Sequence, residues 1–302
     1  MELRSENIVP GTPINQKYAL GKADSESHAT FSANVSPQLS WSGAPEVTRS
    51  FALVMHDTEA PTVPDNVNKE GRTVPHDLPR ADFFHWVLVD IPSSTTELAE
   101  GAFSSGVTYG GKPGPTVQGA PTHLGDLRHG VNSYTDWFAG DPDMAGAYFG
   151  YDGPFPPWND ERTHSYTFTL YALDVDRAPV TGTFDGPTLL TAISAHILDT
   201  ATFTATYRIA EAPWPVSRSA WVNDRRHQFN HNVADSCGRP SGVASWKHHI
   251  ADSQAHHRIR GINKASLVKA WVMPIEPVDQ RIGGATQKRC GTRCEQRQNR
   301  VA

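Results

Sequence analysis

The segment from Gly150 to Asp174 constrains the fold more than any other, because a proline-rich turn leads directly into an alternating strand. In a β-strand, alternate side chains share a face. Four residues are therefore expected on one face of this strand: His164, Tyr166, Phe168 and Leu170. A polar pair thus tops an apolar stripe at the mouth of a packed sheet. His164 and Tyr166 can offer a ring N–H and a phenol O–H to one small ligand.

Two earlier segments supply further candidate pocket residues. Phe51 to Pro61 has the composition of a short apolar strand that ends in a charged turn, and Asp82 to Pro92 is a strongly β-prone run. They contribute Asp57 and His85. With the polar pair of the later strand, these side chains indicate a small pocket at one end of a sheet.

These motifs, in this order, resemble those of the phosphatidylethanolamine-binding protein family and of its bacterial Raf-kinase-inhibitor-like branch. Asp57-Thr58-Glu59-Ala60-Pro61 stands where the family has Asp-Pro-Asp-Ala-Pro, and His85 where it has a strand histidine. Gly153-Pro154 and His164-Ser165-Tyr166 match its Gly-Pro turn and its His-Arg-Tyr element. The departures at Thr58, Glu59 and Ser165 leave the candidate pocket residues in place, since strand alternation points Ser165 away from the pocket.

The resemblance implies a mostly β fold: a two-layer antiparallel β-sheet domain with few helices. It also implies a pocket for phosphate-like groups or phospholipid head groups, with modulation of a kinase or another signalling protein as a further expectation. The ligand-binding residues it suggests are Asp57, Pro61, His85, Gly153, Pro154, His164 and Tyr166.

The residue types suggest how such a pocket would hold an anion. We expect the anion among His85, His164, Tyr166 and the Gly153 turn, where the glycine could offer an unobstructed backbone N–H. Asp57 would orient one histidine or accept from an ammonium group. If protonated histidine neutralises the anion, binding should tighten below about pH 6.5, the ordinary imidazole value.

An enzymatic alternative stays open on the residues alone. His56, Asp57, His85 and His164 contain the ligand types of a zinc or iron site. The core, however, has neither a His-x-x-x-His pair nor a Cys-x-x-Cys pair, and it lacks both the Gly-x-Ser-x-Gly elbow and the Walker spacing. We therefore expect a binding protein without catalysis, metal or cofactor.

Local patterns give a coarse secondary structure. The expected strands are Phe51 to Met55, Phe83 to Val89, Ser165 to Leu173 and Thr202 to Ile209. One helix is expected from Pro187 to Leu198, and loops are expected at 102–125 and 132–144. Five further histidines are interpreted as solvated loop residues or, for the last, as a residue at the edge of the helix: His28, His76, His123, His129 and His196.

Charge divides the chain sharply. Residues 212–302 contain 15 Lys and Arg against 6 Asp and Glu, whereas the preceding part contains 12 against 26. All three cysteines lie in that last part, so the first 211 residues can form no disulfide. We expect an N-terminal extension over residues 1–10, a folded domain over 11–211 and a basic, poorly ordered tail over 212–302.

Two partner hypotheses and a location complete the expectations. Tryptophans interleaved with the basic residues of the tail leave nucleic-acid binding open as an alternative, and a homodimer is a further expected assembly. No apolar run approaches the ~20 residues that a membrane span needs. The first ten residues lack the apolar core of a signal peptide, so a cytoplasmic location is the default expectation.

Overall fold

The computed structural model describes residues 1–119 and 121–209. The basic tail expected from residue 212, with its alternative of nucleic-acid binding, lies outside the described residues. Within them, no helix is long and apolar enough to cross a membrane.

Ten strands and two short α-helices make up the described chain. The strands are β1 (Glu2–Arg4), β2 (Gly21–Asp24), β3 (His28–Phe31), β4 (Leu39–Ser42), β5 (Ser50–Pro61), β6 (Arg80–Pro92), β7 (Glu97–Leu98), β8 (Arg128–His129), β9 (His164–Leu173) and β10 (Ile197–Tyr207). The helices are α1 (Tyr134–Trp137) and α2 (Gly186–Ile193), with 3₁₀ turns at Gln16–Tyr18 and Thr122–Leu124.

A five-stranded antiparallel sheet in the order β10-β9-β5-β6-β8 forms the centre of the fold. A three-stranded sheet, β1-β4-β7, and the hairpin of β2 and β3 complete the β-structure. Apolar side chains pack on both faces of the central sheet. The larger cluster includes Leu53, Trp86 and Phe168, and the smaller one includes Val54 and Val87 with α2. The mostly β, layered antiparallel fold is thereby confirmed.

The N-terminal residues are part of this packing. β1 pairs with β4, and Leu3 and Ile8 are buried in the larger apolar cluster. The packed domain therefore includes residues before Gly11, because these two side chains remove apolar surface from water together with the rest of the core.

The four expected strands are confirmed, and all four are longer than the pattern indicated. The expected helix begins as predicted, with the Asp185 side chain accepting from Thr188 N at 2.9 Å, but it ends at Ile193. Ile197, which lies within the expected helix, instead opens β10 opposite Leu173. The loop expected at 132–144 contains the single turn α1, so that expectation was wrong for four residues.

Candidate functional site

A cavity of about 220 Å³ opens at one end of the central sheet. β5 ends there, while β6 and β9 begin there, because neighbouring strands run antiparallel. The register places Asp57 opposite Phe83 on one side and opposite Tyr166 on the other. The strand pairing thus brings together side chains that lie about a hundred residues apart in the chain.

Five of the seven predicted binding residues line this cavity: Asp57, Pro61, His85, His164 and Tyr166. Gly153 and Pro154 do not. The residues that follow them, Phe155, Pro156 and Pro157, form that wall instead.

Gly153 has a different role from the one expected. Its backbone N–H donates to Asn34 Oδ1 at 2.9 Å, so it is already satisfied and does not face the cavity as an anion donor. A Cβ at this position would lie 1.9 Å from the carbonyl oxygen of Tyr18. Glycine is required here because two backbone segments touch, and Pro154 continues that contact by accepting from Leu20 N and Gly21 N.

His164 is held between two carboxylates. Its Nδ1 lies 2.6 Å from Asp57 Oδ2, and its Nε2 lies 3.1 Å from Asp160 Oδ2. Since a carboxylate oxygen accepts, both ring nitrogens donate and the ring is an imidazolium. Burial by itself lowers the pKa of His164, but the hydrogen bonds to Asp160 and Asp57 outweigh it and raise the pKa to about 9.

Asp160 is in turn fixed by Arg80. The two form a bidentate pair, with Nη1 to Oδ2 at 2.5 Å and Nη2 to Oδ1 at 2.9 Å. The three remaining bonds of the guanidinium go to carbonyl oxygens of Glu59, Pro75 and Leu78, so all five of its N–H groups are matched. Burial raises the pKa of Asp160, but the bonds from His164 and Arg80 prevail and lower it to about 2.

The long excursion between β5 and β6 is tied to the same region. Asn159 Nδ2 donates to carbonyl oxygens of Asn66, Lys69 and Arg72 in that excursion. Arg162 Nε donates to the carbonyl oxygen of His76, also in that excursion, at 2.6 Å. These contacts hold the excursion against the cavity, where it contributes two lining residues, Thr62 and Pro64.

His85 lines the cavity and leaves one ring nitrogen without a hydrogen-bond partner in the described chain. Its Nδ1 lies 2.8 Å from the carbonyl oxygen of Asp152, which can only accept, so Nδ1 carries the proton. Nε2 is buried and has no hydrogen-bond partner among the described residues. Burial lowers the pKa of His85, although the charge of Asp57 opposes this shift. The ring is therefore neutral at pH 7, and Nε2 is an acceptor.

Tyr166 presents the second unpartnered group. Its hydroxyl is fully buried and makes no hydrogen bond that meets ordinary distance and angle limits in the described chain, although it lies close enough to the Asp57 carboxylate for a hydrogen bond to that group to contribute to its raised pKa. Burial, and then the charge of Asp57, raise the pKa of Tyr166 well above 10. The hydroxyl keeps its proton and can donate it to a ligand. The rings of Tyr166 and His85 lie 5.2 Å apart between their centroids.

A buried polar network supports His85 from behind. The carboxylate of Asp152 accepts from Asn34 Nδ2 and Asn132 Nδ2, each at 2.8 Å, and forms an ion pair with Lys112 Nζ at 2.8 Å. Every bond fixes the backbone carbonyl that orients the His85 ring. None of these residues was identified from the sequence, because each is distant along the chain and carries no motif.

The rim of the cavity combines aromatic rings with two carboxylates. Phe83, Tyr134 and Phe155 provide apolar walls, while the side chains of Asp82 and Asp136 are exposed at the opening. The rim therefore favours a ligand that has an apolar or cationic part outside the cavity.

The hypothetical metal site is not assembled. His56 stacks against Phe84 at 5.7 Å, and its neighbour Asp57 lines the cavity on the other face of β5. In residues 1–119 and 121–209, no group of three His, Cys, Asp or Glu side chains is arranged to hold a metal ion.

The expectation that His129 is a solvated loop residue was wrong. It lies in β8, is 5 % exposed, and accepts from Trp86 Nε1 through its Nε2 at 3.3 Å. Burial lowers the pKa of His129 to about 3, with the charge of Lys112 adding to the effect. A strand of two residues is too short to be recognised from an alternating pattern.

The other histidines lie away from the cavity lining. His28 stacks on Trp158 with a centroid distance of 4.0 Å, His76 is exposed, and the side chain of His123 is outside the described set. His196 follows α2 rather than lying on it, and its Nδ1 lies 2.9 Å from Asp174 Oδ1.

Comparison with known proteins gives consistent matches over the described domain. The family model for "Phosphatidylethanolamine-binding protein" matches residues 4–208. The UPF0098 protein YbcL of Escherichia coli K12 is 29 % identical over 176 residues, covering 58 % of this chain and 73 % of YbcL. The UPF0098 protein YbhB of the same strain is 29 % identical over 174 residues, covering 58 % and 82 %.

Two further matches cover almost the whole length of the matched protein. A UPF0098 protein of Chlamydia muridarum is 30 % identical over 207 residues, covering 68 % of this chain and 98 % of its own length. The crystal structure of E. coli YbcL, described as a new member of the mammalian PEBP family, superposes with a TM-score of 0.48 at 25 % identity, covering 69 % and 98 %. Because the family model spans more than half of the sequence, this chain belongs to the phosphatidylethanolamine-binding protein family, in its YbhB/YbcL branch.

Proposed function

We propose that this protein binds a phosphate-like group, carried by an amine-bearing head group, in the cavity at the end of the central sheet. One observation carries the proposal: His85 and Tyr166 line one cavity, and their buried atoms Nε2 and Oη have no hydrogen-bond partner of ordinary geometry in the described chain. An unsatisfied buried polar group costs about 1–3 kcal/mol. A ligand that pairs with both atoms removes that cost, which makes the free pocket complementary to a small polar group.

The two atoms suit a phosphate monoester in its singly protonated form. The P–OH group can donate to neutral His85 Nε2, while an unprotonated oxygen accepts from the Tyr166 hydroxyl. The second pKa of a phosphate monoester is about 6, so this form is accessible near neutral pH. A fully ionised anion such as sulfate has no proton to give, and it requires protonation of His85.

The charges around the cavity favour a zwitterion over a simple anion. The inner charges cancel in pairs, since Asp57 and Asp160 face the His164 imidazolium and Arg80. The exposed carboxylates of Asp82 and Asp136 add negative charge at the opening. A phosphate inside with an ammonium outside, as in a phosphoethanolamine head group, matches this arrangement.

The experiment is calorimetry of phosphoethanolamine binding to the full chain and to two variants. His85→Asn keeps a donor for the Asp152 carbonyl and removes Nε2, and Tyr166→Phe removes only the hydroxyl. Each should weaken binding at least tenfold, which corresponds to about 1.4 kcal/mol, in the range of one hydrogen bond to a charged group. Matched controls are His76→Asn and Tyr109→Phe, since both residues are exposed and outside the lining.

Unchanged affinity in both pocket variants, or no binding by the wild-type chain, would refute the proposal. Modulation of a kinase or another signalling protein, a homodimer, the absence of catalysis and a cytoplasmic location stay predictions, because no contact within the described residues bears on them.

A further inference from the structure

The bond between His164 and Asp160 distinguishes this pocket from one built only of its recognisable motifs. Asp160 lies four residues before His164, outside the His-Ser-Tyr element, and its carboxylate is buried. It belongs to the turn before β9, whereas Asp57, on the opposite side of the ring, belongs to β5. His164 is thus clamped from two elements.

We propose that Asp160, held by Arg80, is a positioning residue that keeps His164 as an imidazolium against Asp57 and so allows an anion to enter beside a buried carboxylate. The inference rests on the proposed function. His164 itself offers no N–H to the ligand, because both of its nitrogens are engaged. Its part is to supply a fixed positive charge.

Among the groups around His164, Asp160 is the one that decides whether the ring stays protonated. These groups are Asp57 from β5, Tyr166 from β9, Tyr207 from β10 and Asp160 itself. From β6, Arg80 acts through Asp160, and neutral His85 contacts the far side of this group through the Tyr166 ring. Of these, only the two aspartates accept from the ring in the described chain. Without Asp160, Nε2 would lose its acceptor, and the ring could become neutral while still donating to Asp57 through Nδ1.

Loss of the charge on His164 would expose the ligand to an uncompensated Asp57. Two like charges a few ångströms apart in a buried site repel strongly, because little water screens them. The pocket would then reject anions whenever His164 is neutral. The variant therefore acquires a new pH dependence, which a merely structural defect would not produce.

Arg80 determines where Asp160 sits. A lysine could not replace it, since an ammonium has three N–H groups and lacks the planar fork that binds both carboxylate oxygens. The same guanidinium bonds the carbonyl oxygens of Pro75 and Leu78. Arg80 therefore has two roles. It fixes Asp160, the carboxylate that orients His164, and it anchors the excursion that forms one wall of the cavity.

The test combines a ring titration with sulfate binding to the full chain. Sulfate stays fully ionised between pH 6 and 8.5, so only the protein titrates. In the wild type, NMR of the His164 ring should show both N–H groups up to about pH 9. In Asp160→Asn, the midpoint should fall below pH 7.5. The ratio of wild-type to variant sulfate affinity should then rise about tenfold between pH 6 and 8.5.

Glu161→Gln is the matched control. It removes a neighbouring exposed carboxylate that also anchors the excursion, by accepting from His76 N at 2.7 Å, but does not touch His164. Its affinity ratio should not change with pH. A constant ratio for Asp160→Asn would overturn the inference. A wild-type His164 that titrates below pH 7.5 would also overturn it, and this result does not depend on the folding of the variant. Absence of binding by the wild type of both sulfate and phosphoethanolamine at pH 6 would instead refute the proposed function, while the ring titration would still decide the role of Asp160.

Discussion

The main-chain carbonyl of Asp152 accepts a hydrogen bond from His85 Nδ1 at 2.8 Å, and this contact decides which nitrogen of His85 is left without a partner. It leaves Nε2 as the free acceptor in the neutral ring. The anion pocket inferred from the sequence assumed protonated histidines. The structure instead combines one neutral histidine, His85, with one charged histidine, His164. Burial lowers the pKa of His85, whereas the hydrogen bonds to two carboxylates raise the pKa of His164.

Sulfate affinity should rise as the pH falls. Sulfate must bind the protonated form of His85, and burial lowers the pKa of His85 in the free protein below its ordinary value of 6.5. Between the pKa values of the free and bound states, affinity should increase about tenfold for each unit of decreasing pH. Calorimetry from pH 7.5 to 5 measures the slope, and His85→Asn should abolish it. An equal slope in that variant would assign the proton to another group.

The carboxylates at the opening should select for an ammonium group. Phosphoethanolamine should bind about 2–5-fold more tightly than ethyl phosphate, which has no amine, because exposed ion pairs contribute roughly 0.5–1 kcal/mol. The double variant Asp82→Asn, Asp136→Asn should lose this preference, and 0.5 M salt should reduce it in the wild type. A preference that survives both changes would place the amine elsewhere.

His164 should make the protein less stable at alkaline pH. Its pKa is raised from 6.5 in the unfolded chain to about 9 in the folded one, so its contribution is complete below pH 6.5 and is lost as the pH rises through 9. The shift corresponds to an upper limit of roughly 3 kcal/mol. Urea unfolding at pH 6, 7.5 and 9 measures how much the free energy of unfolding decreases. Asp160→Asn should flatten this dependence, and a wild type that is equally stable at all three values would contradict it.

His129 should account for part of the acid sensitivity. Its pKa is lowered from 6.5 to about 3 in the folded state, so stability is lost as the pH falls from 6.5 towards 3, by at most about 5 kcal/mol. His129→Gln retains an acceptor for Trp86 Nε1 and removes the titration. The acid unfolding midpoint of the variant, followed by circular dichroism, should shift to lower pH. If the midpoint stays unchanged, other groups govern acid unfolding.

Gly153→Ala should destabilise the whole domain rather than only weaken ligand binding. The added methyl group would lie 1.9 Å from the Tyr18 carbonyl oxygen, so two backbone segments must separate, at a cost of about 3 kcal/mol or more. Gly182→Ala, where nothing lies within 4 Å of the new atom, should cost about 1 kcal/mol through its positive φ alone. Thermal unfolding compares the two. Equal losses would show that the close contact relaxes without cost.

The sequence by itself determined the central strands and five of the residues that line the cavity. Alternation in β9 placed His164 and Tyr166 on the buried face, and β-prone runs located β5 and β6, because a strand that packs against a core records its two faces in its own residues. Asp57, Pro61 and His85 followed from short motifs at the ends of those strands, and all three line the cavity.

Only the tertiary structure decided the charge states, the supporting contacts and the outer wall. Asp160, Arg80 and Asp152 act through bonds to residues that other elements bring near, and such pairings leave no periodic signal in the chain. The Gly-Pro turn indicated that Gly153 donates its N–H to an anion, but this N–H donates to Asn34 Oδ1, 119 residues away. Burial and hydrogen-bond partners set protonation, and both arise only when distant segments pack.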